Sequence, residues 1–192
     1  DPADIVAKDS ETDGVNGFDE LSDAFGVDTF VIGSSTYAIV TSDDGGVQII
    51  DISDPADIVA KDSETDGVNG FDELSDAFGV DTFVIGSSTY AIVTSDDGGV
   101  QIIDISDPAD IVAKDSETDG VNGFDELSDA FGVDTFVIGS STYAIVTSDD
   151  GGVQIIDISD PADIVAKDSE TDGANGFDEL SGAKSVSTFV IG

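Results

Sequence analysis

Residues 36–52 read TYAIVTSDDGGVQIIDI, and this stretch decides the fold. Two β-rich runs, residues 36–41 and 47–52, flank a polar segment whose two glycines allow the positive φ of a tight turn. Apolar residues occupy odd and even positions of each run, so both faces of the resulting sheet should be covered. The stretch predicts a hairpin inside a stack of sheets.

Two further strands complete the unit. Residues 29–32 form a short β-rich run that ends at Gly33, a hairpin signal before the next strand. Residues 57–61 follow the break at Pro55 and are more polar, as expected of an exposed edge strand. Together the four strands predict an up-and-down meander.

The unit repeats along the chain. The string DPADIV begins at Asp1 and again at Asp54, Asp107 and Asp160, a spacing of 53 residues. Units 1–53, 54–106 and 107–159 are identical, and a partial unit covers 160–192. A changed last copy is typical of the end of a repeat array. The last copy departs from the first at five positions: Val15 becomes Ala174, Asp23 becomes Gly182, Phe25 becomes Lys184, Gly26 becomes Ser185 and Asp28 becomes Ser187.

Four-stranded units at this period predict an all-β protein of repeated four-stranded antiparallel blades, either a β-propeller or an open propeller-like array. An open linear stack of the same sheets is the alternative. The chain begins with a lone fourth strand in residues 1–8, continues with three complete blades and ends with a lone first strand in residues 187–191. The fourth blade therefore lacks its second and third strands.

Residues 37–55, YAIVTSDDGGVQIIDISDP, resemble the LVIVD-type repeat of secreted and cell-surface bacterial and archaeal proteins. The resemblance implies propeller blades and an extracellular or cell-surface location. The chain differs from that family by an insertion, roughly residues 15–25, and by its extreme acidity. It lacks the Gly-His and Trp-Asp pairs expected of WD40 blades.

Composition excludes several classes of function. The chain has 43 acidic residues against 5 lysines, no Arg, His, Cys, Met or Trp, and a net charge of −38. It therefore has no imidazole or thiolate metal site, no His- or Cys-dependent nucleophile and no disulfide. Sparse cations make nucleic acid an unexpected partner. No apolar run approaches the roughly eighteen residues of a membrane span, so we expect no membrane insertion.

Residues 9–20, DSETDGVNGFDE, resemble a calcium-binding EF-hand loop in their spacing. Acids stand at loop positions 1, 3, 5 and 12, a glycine at position 6, and a backbone carbonyl at position 7 is the next ligand. Against this, position 3 is Glu and no helix precedes the loop. The other interpretation is a pair of ordinary turns in an acidic surface loop. The predicted calcium ligands are Asp9, Glu11, Asp13, Val15 and Glu20, with Asp62, Glu64, Asp66 and Glu73, with Asp115, Glu117, Asp119 and Glu126, and with Asp168, Glu170, Asp172 and Glu179.

Phe18, Leu21 and Phe25 fall at the spacing of one helix face, with Gly26 after the last of them. This pattern predicts a two-turn amphipathic helix over residues 18–25. The helix would pack on its own blade, or Phe25 would reach the next unit or another subunit. Lys184 at the last equivalent position favours the contact with the next unit or another subunit, because a terminal copy no longer needs it.

Each full unit carries twelve acids and one lysine, a charge of −11 that is destabilising unless salt screens it or cations bind it. Identical repeats place the same carboxylates on every blade, whereas an active site needs carboxylates in unlike environments. We therefore expect a non-enzymatic extracellular repeat protein, structural, self-assembling or adhesive, whose partners are further copies of itself or a continuation of the array. A propeller scaffold that binds an external protein or glycan is the alternative.

Overall fold

The computed structural model describes residues 7–189. Within this range the chain forms twelve β-strands and no helix, so no described helix is long and apolar enough to cross a membrane. The strands are β1 (Ala24–Ile32), β2 (Ser35–Ser42), β3 (Gly46–Asp51), β4 (Val59–Thr65), β5 (Ala77–Ile85), β6 (Ser88–Ser95), β7 (Gly99–Asp104), β8 (Val112–Thr118), β9 (Ala130–Ile138), β10 (Ser141–Ser148), β11 (Gly152–Asp157) and β12 (Val165–Thr171).

The strands form three antiparallel sheets in sequence order, β1 to β4, β5 to β8 and β9 to β12. The predicted hairpin is confirmed, because Tyr37 pairs with Asp51 and Ser42 with Gly46 across the turn. The fold class is therefore all-β, with repeated four-stranded blades in an open propeller-like array. The predicted lone strands, residues 1–8 and 187–191, lie partly outside the described residues. Their described parts, residues 7–8 and 187–189, are not in β-strands.

The predicted helix over residues 18–25 is wrong. Phe18 instead forms an isolated bridge with Val15, and strand β1 already begins at Ala24. The reason is the backbone, because Asn16 and Asp23 have φ values of 57° and 47°. These left-handed conformations bend the chain sharply and cannot belong to a right-handed helix.

The outer strand is also shifted from the prediction. Strand β4 covers Val59–Thr65 rather than residues 57–61, because the turn after Pro55 extends to Asp57, whose N–H donates to the Asp54 carbonyl at 3.0 Å. The start of the predicted second calcium loop, with Asp62 and Glu64, therefore lies on a strand.

Each sheet has a front face, which packs on the following sheet, and a back face, which packs on the preceding one. The front face of the first sheet presents Phe30, Ile39 and Ile49 within a buried cluster. The back face of the second sheet adds Ala91, Val93 and Ile103 to this cluster, and Ile105 and Ile111 join it from the segment between strands β7 and β8. The same positions, shifted by one unit, form the cluster between the second and third sheets. Burial of apolar surface between sheets is thus the main stabilising interaction.

The first strands of neighbouring sheets lie close together. Gly79 has no room for a side chain, because a Cβ there would overlap the Phe131 carbonyl oxygen of the next sheet. The Thr94 hydroxyl donates to that same carbonyl at 2.8 Å. Glycine is needed here for close backbone approach rather than for a positive φ.

Three phenylalanines meet beside these glycines. The ring centroids of Phe25 and Phe78 are 4.6 Å apart, and those of Phe78 and Phe131 are 4.3 Å apart. Phe25 also lies 5.2 Å from Phe131. Of the alternatives for Phe25, the structure shows the contact with the next unit.

Replacing Gly79 with Ala should lower the free energy of unfolding by about 1–3 kcal/mol, because the added methyl group forces the second and third sheets apart. Gly86→Asn is the matched control, since Gly86 has a φ of 66° and open space around it. Asparagine tolerates that φ, so the control should stay within about 0.5 kcal/mol of the parent. Urea unfolding measures both variants, and equal stabilities would contradict the close contact.

Candidate interface and acidic loops

A row of four residues crosses the front face of each sheet. In the first sheet Asp28 is paired with Ile39, Ile39 with Ile49, and Ile49 with Asp62. The two isoleucines are fully buried against the next sheet. One aspartate therefore lies on the first strand, at the inner edge of a buried apolar interface, and the other lies on the fourth strand, at its outer edge.

The inner aspartate binds the first strand of the following sheet. Asp28 Oδ2 accepts hydrogen bonds from the Thr82 backbone N–H at 2.9 Å and from the Thr82 hydroxyl at 2.6 Å. Asp81 accepts from the Thr135 N–H at 2.8 Å in the same way. Burial raises the pKa of Asp81 above its usual value, although the hydrogen bonds from Thr135 act in the opposite direction.

The outer aspartate binds the following sheet at its far edge. Asp62 Oδ2 accepts from the Ile111 N–H at 2.8 Å, and Asp115 Oδ2 accepts from the Ile164 N–H at 2.8 Å. Ile111 and Ile164 lie just before strands β8 and β12. Each sheet is therefore held to the next by carboxylates on both sides of an apolar centre.

The predicted calcium ligands of the first unit have separate hydrogen-bond partners. Asp9 accepts from the Ile58 N–H at 2.9 Å and Asp13 from the Leu21 N–H at 2.9 Å. Glu11 accepts from the Asn16 side chain at 3.3 Å, Glu20 from the Thr65 hydroxyl at 2.7 Å, and the Val15 carbonyl from the Phe18 N–H at 3.1 Å.

The later copies have equivalent partners. Asp66, Asp119 and Asp172 accept from the backbone N–H of a leucine, Glu64, Glu117 and Glu170 from an asparagine, and Glu73 and Glu126 from a threonine. Within residues 7–189, the Asp168 side chain accepts only from the N–H of its neighbour Ser169, and the Glu179 side chain has no hydrogen-bond partner. Among residues 7–189 no three acidic side chains are grouped as a metal site. Calcium binding stays a prediction.

The turns that were the alternative interpretation of these loops are present. Gly14 and Gly17 have φ values of 74° and 82°, and the Gly14 N–H donates to the Phe18 carbonyl at 2.6 Å. This tight loop buries Phe18 almost completely. The Gln48 side chain of strand β3 accepts from the Asp19 N–H at 3.0 Å and anchors the loop to the sheet.

Acidic crowding shifts several pKa values. Partial burial, assisted by neighbouring carboxylates such as Asp66, raises the pKa of Glu73 despite its hydrogen bond from Thr118. In contrast, hydrogen bonds from Ser53 lower the pKa of Asp51, and the ion pair with Lys61 at 3.5 Å acts in the same direction. Each of the three sheets has one such ion pair between a lysine on its fourth strand and an aspartate on its third strand.

The described residues cover the front face of the third sheet only in part. Ile145 and Ile155 are half-buried, whereas their equivalents Ile92 and Ile102 have no exposed surface. Ile138 is 65% exposed. We call this surface the open face and define it by Phe136, Ile138, Ile145, Val153 and Ile155.

The partial fourth unit covers only the inner edge of the open face. The Thr188 N–H donates to Asp134, as its equivalents do in the earlier units. Lys184 Nζ lies 4.1 Å from the centroid of the Phe131 ring and 3.3 Å from Asp149. A cation over the ring thus replaces the phenylalanine that continues the cluster elsewhere.

Sequence reasoning missed the interface residues Gly26, Asp28 and Thr82. The sequence of the fourth unit could have indicated that Gly26 and Asp28 contact a following sheet, because Ser185 and Ser187 replace them there. Three of its five substitutions, including Lys184, alter groups that contact a following sheet. Gly182 takes the left-handed conformation of Asp23, and nothing in the structure explains Ala174.

The fold and these repeated interfaces define a propeller-like repeat protein. A family model described as LVIVD repeat matches residues 31–65, 84–118 and 137–171. These segments make up more than half of the chain and run from the end of each first strand to the end of each fourth strand. The chain belongs to the LVIVD repeat family.

Two solved structures are similar to the chain at low sequence identity. The Bombyx mori GH32 beta-fructofuranosidase BmSUC1 is 12% identical, with a TM-score of 0.53 over 79% of this chain and 38% of that chain. The beta-propeller domain of Vanderwaltozyma polyspora Nup133 is 10% identical, with a TM-score of 0.47 over 77% of this chain and 47% of that chain. The chain thus spans less than half of either structure. No curated protein matches it in sequence.

Replacing Asp81 with Ala should lower the free energy of unfolding by about 1–3 kcal/mol, because the partly buried Thr135 N–H loses its acceptor. Asp81→Asn is the control, since it keeps an acceptor oxygen and removes a carboxylate whose pKa burial has raised. Its stability at about pH 7 should equal or exceed that of the parent. Chemical unfolding measures both, and a loss from Asn as large as that from Ala would contradict this role.

Proposed function

We propose that this chain is a non-enzymatic structural repeat protein that works by association through its open face. Its partners would be further copies of itself or a continuation of the same repeat array. The observation that carries the proposal is the change in burial along the chain. Ile49 and Ile102 are fully buried by the next sheet, whereas the equivalent Ile155 has no sheet over it among the described residues.

The opposite end of the array supports the same proposal. On the back face of the first sheet, Val40 and Ile52 are half-buried, whereas Val93 and Ile105 are fully buried on the second. The two ends therefore expose the two halves of an interface that is buried twice inside the chain. Contacts between unlike ends generate filaments, or rings where the rotation closes.

The proposed role does not include catalysis. Asp28 and Asp62 and their copies are used in contacts between sheets, and repetition places them in similar surroundings. The glycosidase among the similar structures shares the fold at 12% identity, and its activity is that protein's own.

We further propose an extracellular or cell-surface location. A net charge of −38 supports it, because a saline medium screens repulsion among the carboxylates. The Debye length falls to about 3 Å at 1 M salt, so the crowded loops gain most from such a medium.

The chain should form oligomers or filaments in dilute solution rather than stay a compact monomer. Sedimentation velocity over a concentration series measures this, and Ile155→Asp should reduce association by placing a charge on the open face. Val84→Asp is the matched control, since Val84 is 63% exposed on the second sheet. A parent chain that stays monodisperse and monomeric would contradict association and favour the alternative scaffold for an external protein or glycan.

Calcium binding is a separate part of the proposal, supported by the spacing of the acids and by the charge. Binding would require Asp62 and Glu73 to exchange their present hydrogen bonds for the ion. If they do so, calcium raises the melting temperature by mass action relative to chelator at matched ionic strength. Asp62→Asn with Glu73→Gln should reduce that increase, and equal melting temperatures for the parent would contradict a calcium site.

A further inference from the structure

The open face differs from a plain apolar patch because its inner part is already occupied. Thr188 has taken the place beside Asp134, and Lys184 the place over Phe131. A complete sheet from another molecule would bring its own first strand into that same place. The remaining space is a cavity of about 930 Å³ between the open face and residues 187–189, lined in part by Phe136, Ile145 and Ile155.

The intact interfaces show what fills this space. Over the second sheet, Ile92 and Ile102 are covered by Ala144 and Val146 of strand β10 and by Ile156 of strand β11, within one buried cluster. These strands are the second and third of the covering blade. The fourth unit lacks their equivalents among the described residues, and the cavity is lined by the isoleucines that these strands cover in the earlier interface.

The outer edge of the open face supplies a second, independent observation. Asp62 and Asp115 each use Oδ2 to accept from a backbone N–H just before the fourth strand of the next sheet. Asp168 is the equivalent residue, and its Oδ2 has no recorded partner within residues 7–189. The face thus presents a carboxylate oxygen where an incoming backbone N–H belongs.

We infer that the open face binds a β-hairpin with the repeat's own second- and third-strand sequence, supplied by another polypeptide segment. The segment corresponds to residues 34–58, from the start of the hairpin to the residue whose N–H would bind Asp168. It completes the fourth blade as a donated pair of strands. This inference narrows the proposed association through the open face to one partner, a hairpin. It replaces stacking on the back face of a complete first sheet, whose first strand would need the place that Thr188 and Lys184 occupy.

The completed blade ends the array rather than extending it. A fifth sheet would need a carboxylate acceptor such as Asp28 and a glycine such as Gly26 in the fourth unit. The equivalent residues there are Ser187 and Ser185. The fourth unit thus keeps the group that contacts the third sheet, Thr188, and has lost those that would hold a following one. Hairpin binding therefore gives a finite four-bladed unit.

A synthetic peptide of residues 34–58 tests the inference by fluorescence anisotropy against the whole chain. We expect saturable binding with one peptide per chain. Asp168→Ala should weaken binding about tenfold, because a charged hydrogen bond is lost, and Ile155→Asp should abolish it. Asp125→Ala is the matched control, because Asp125 is exposed and lies outside the face. A peptide of the same composition in scrambled order should not bind.

Absence of saturable binding, or equal binding of the scrambled peptide, would overturn the inference. A chain extended after Gly192 by the same segment gives a second measurement that does not depend on peptide solubility. Its amides in strands β10 and β11 should exchange with deuterium more slowly than those of the parent, and unchanged exchange would also overturn it. If the parent associates but the peptide neither binds nor competes, the proposed function stands and this inference fails. If the peptide binds a strictly monomeric chain, association fails and the inference stands.

Discussion

Packing of one sheet on the next depends on a row of four residues, an aspartate at each edge and two isoleucines between them. The isoleucines Ile39 and Ile49 belong to the buried apolar cluster between the sheets, and burial of apolar area has no directional preference. Asp28 and Asp62 supply direction, because each accepts from a defined backbone N–H of the following sheet. The apolar centre therefore stabilises the stack, and the carboxylates at its edges fix how one sheet is positioned on the next.

The same row explains how so acidic a chain folds. Carboxylates that are only exposed add to repulsion, but Asp28 and Asp62 lie against backbone donors and Asp51 lies beside the lysine of its own sheet. The pKa values of Glu73 and Asp81 are nevertheless raised, mainly by burial and further by neighbouring carboxylates. The stability that these two residues contribute falls as the pH rises through their raised pKa values, because the folded state holds the protons more tightly than the unfolded chain. Salt or cations act against the same repulsion.

Repetition makes the interface directional. Every sheet has a front that holds the next sheet and a back that is held, so an array of such sheets leaves one unused half at each end. The two sides of the fourth unit differ. Thr188 keeps the hydrogen bond to the third sheet, whereas Ser185 and Ser187 replace the glycine and the aspartate that contact a following sheet in the earlier units. The partial unit therefore keeps the group that contacts the preceding sheet and lacks the two groups with which the earlier units contact a following one.

The order of the four strands, the hairpin turn and the unit length could be predicted from the sequence, because apolar runs and glycine turns are local signals. The sequence also marked Phe25 as a contact between units through its replacement by Lys184. Only the tertiary structure decided that residues 18–25 form no helix, since the left-handed backbone at Asp23 is fixed by the start of strand β1 and by burial of Phe18. It likewise assigned Asp62 to the interface between sheets rather than to a loop. The physical reason is distance along the chain, because Asp62 and Ile111 are separated by 49 residues and identical copies cannot show which one contacts which.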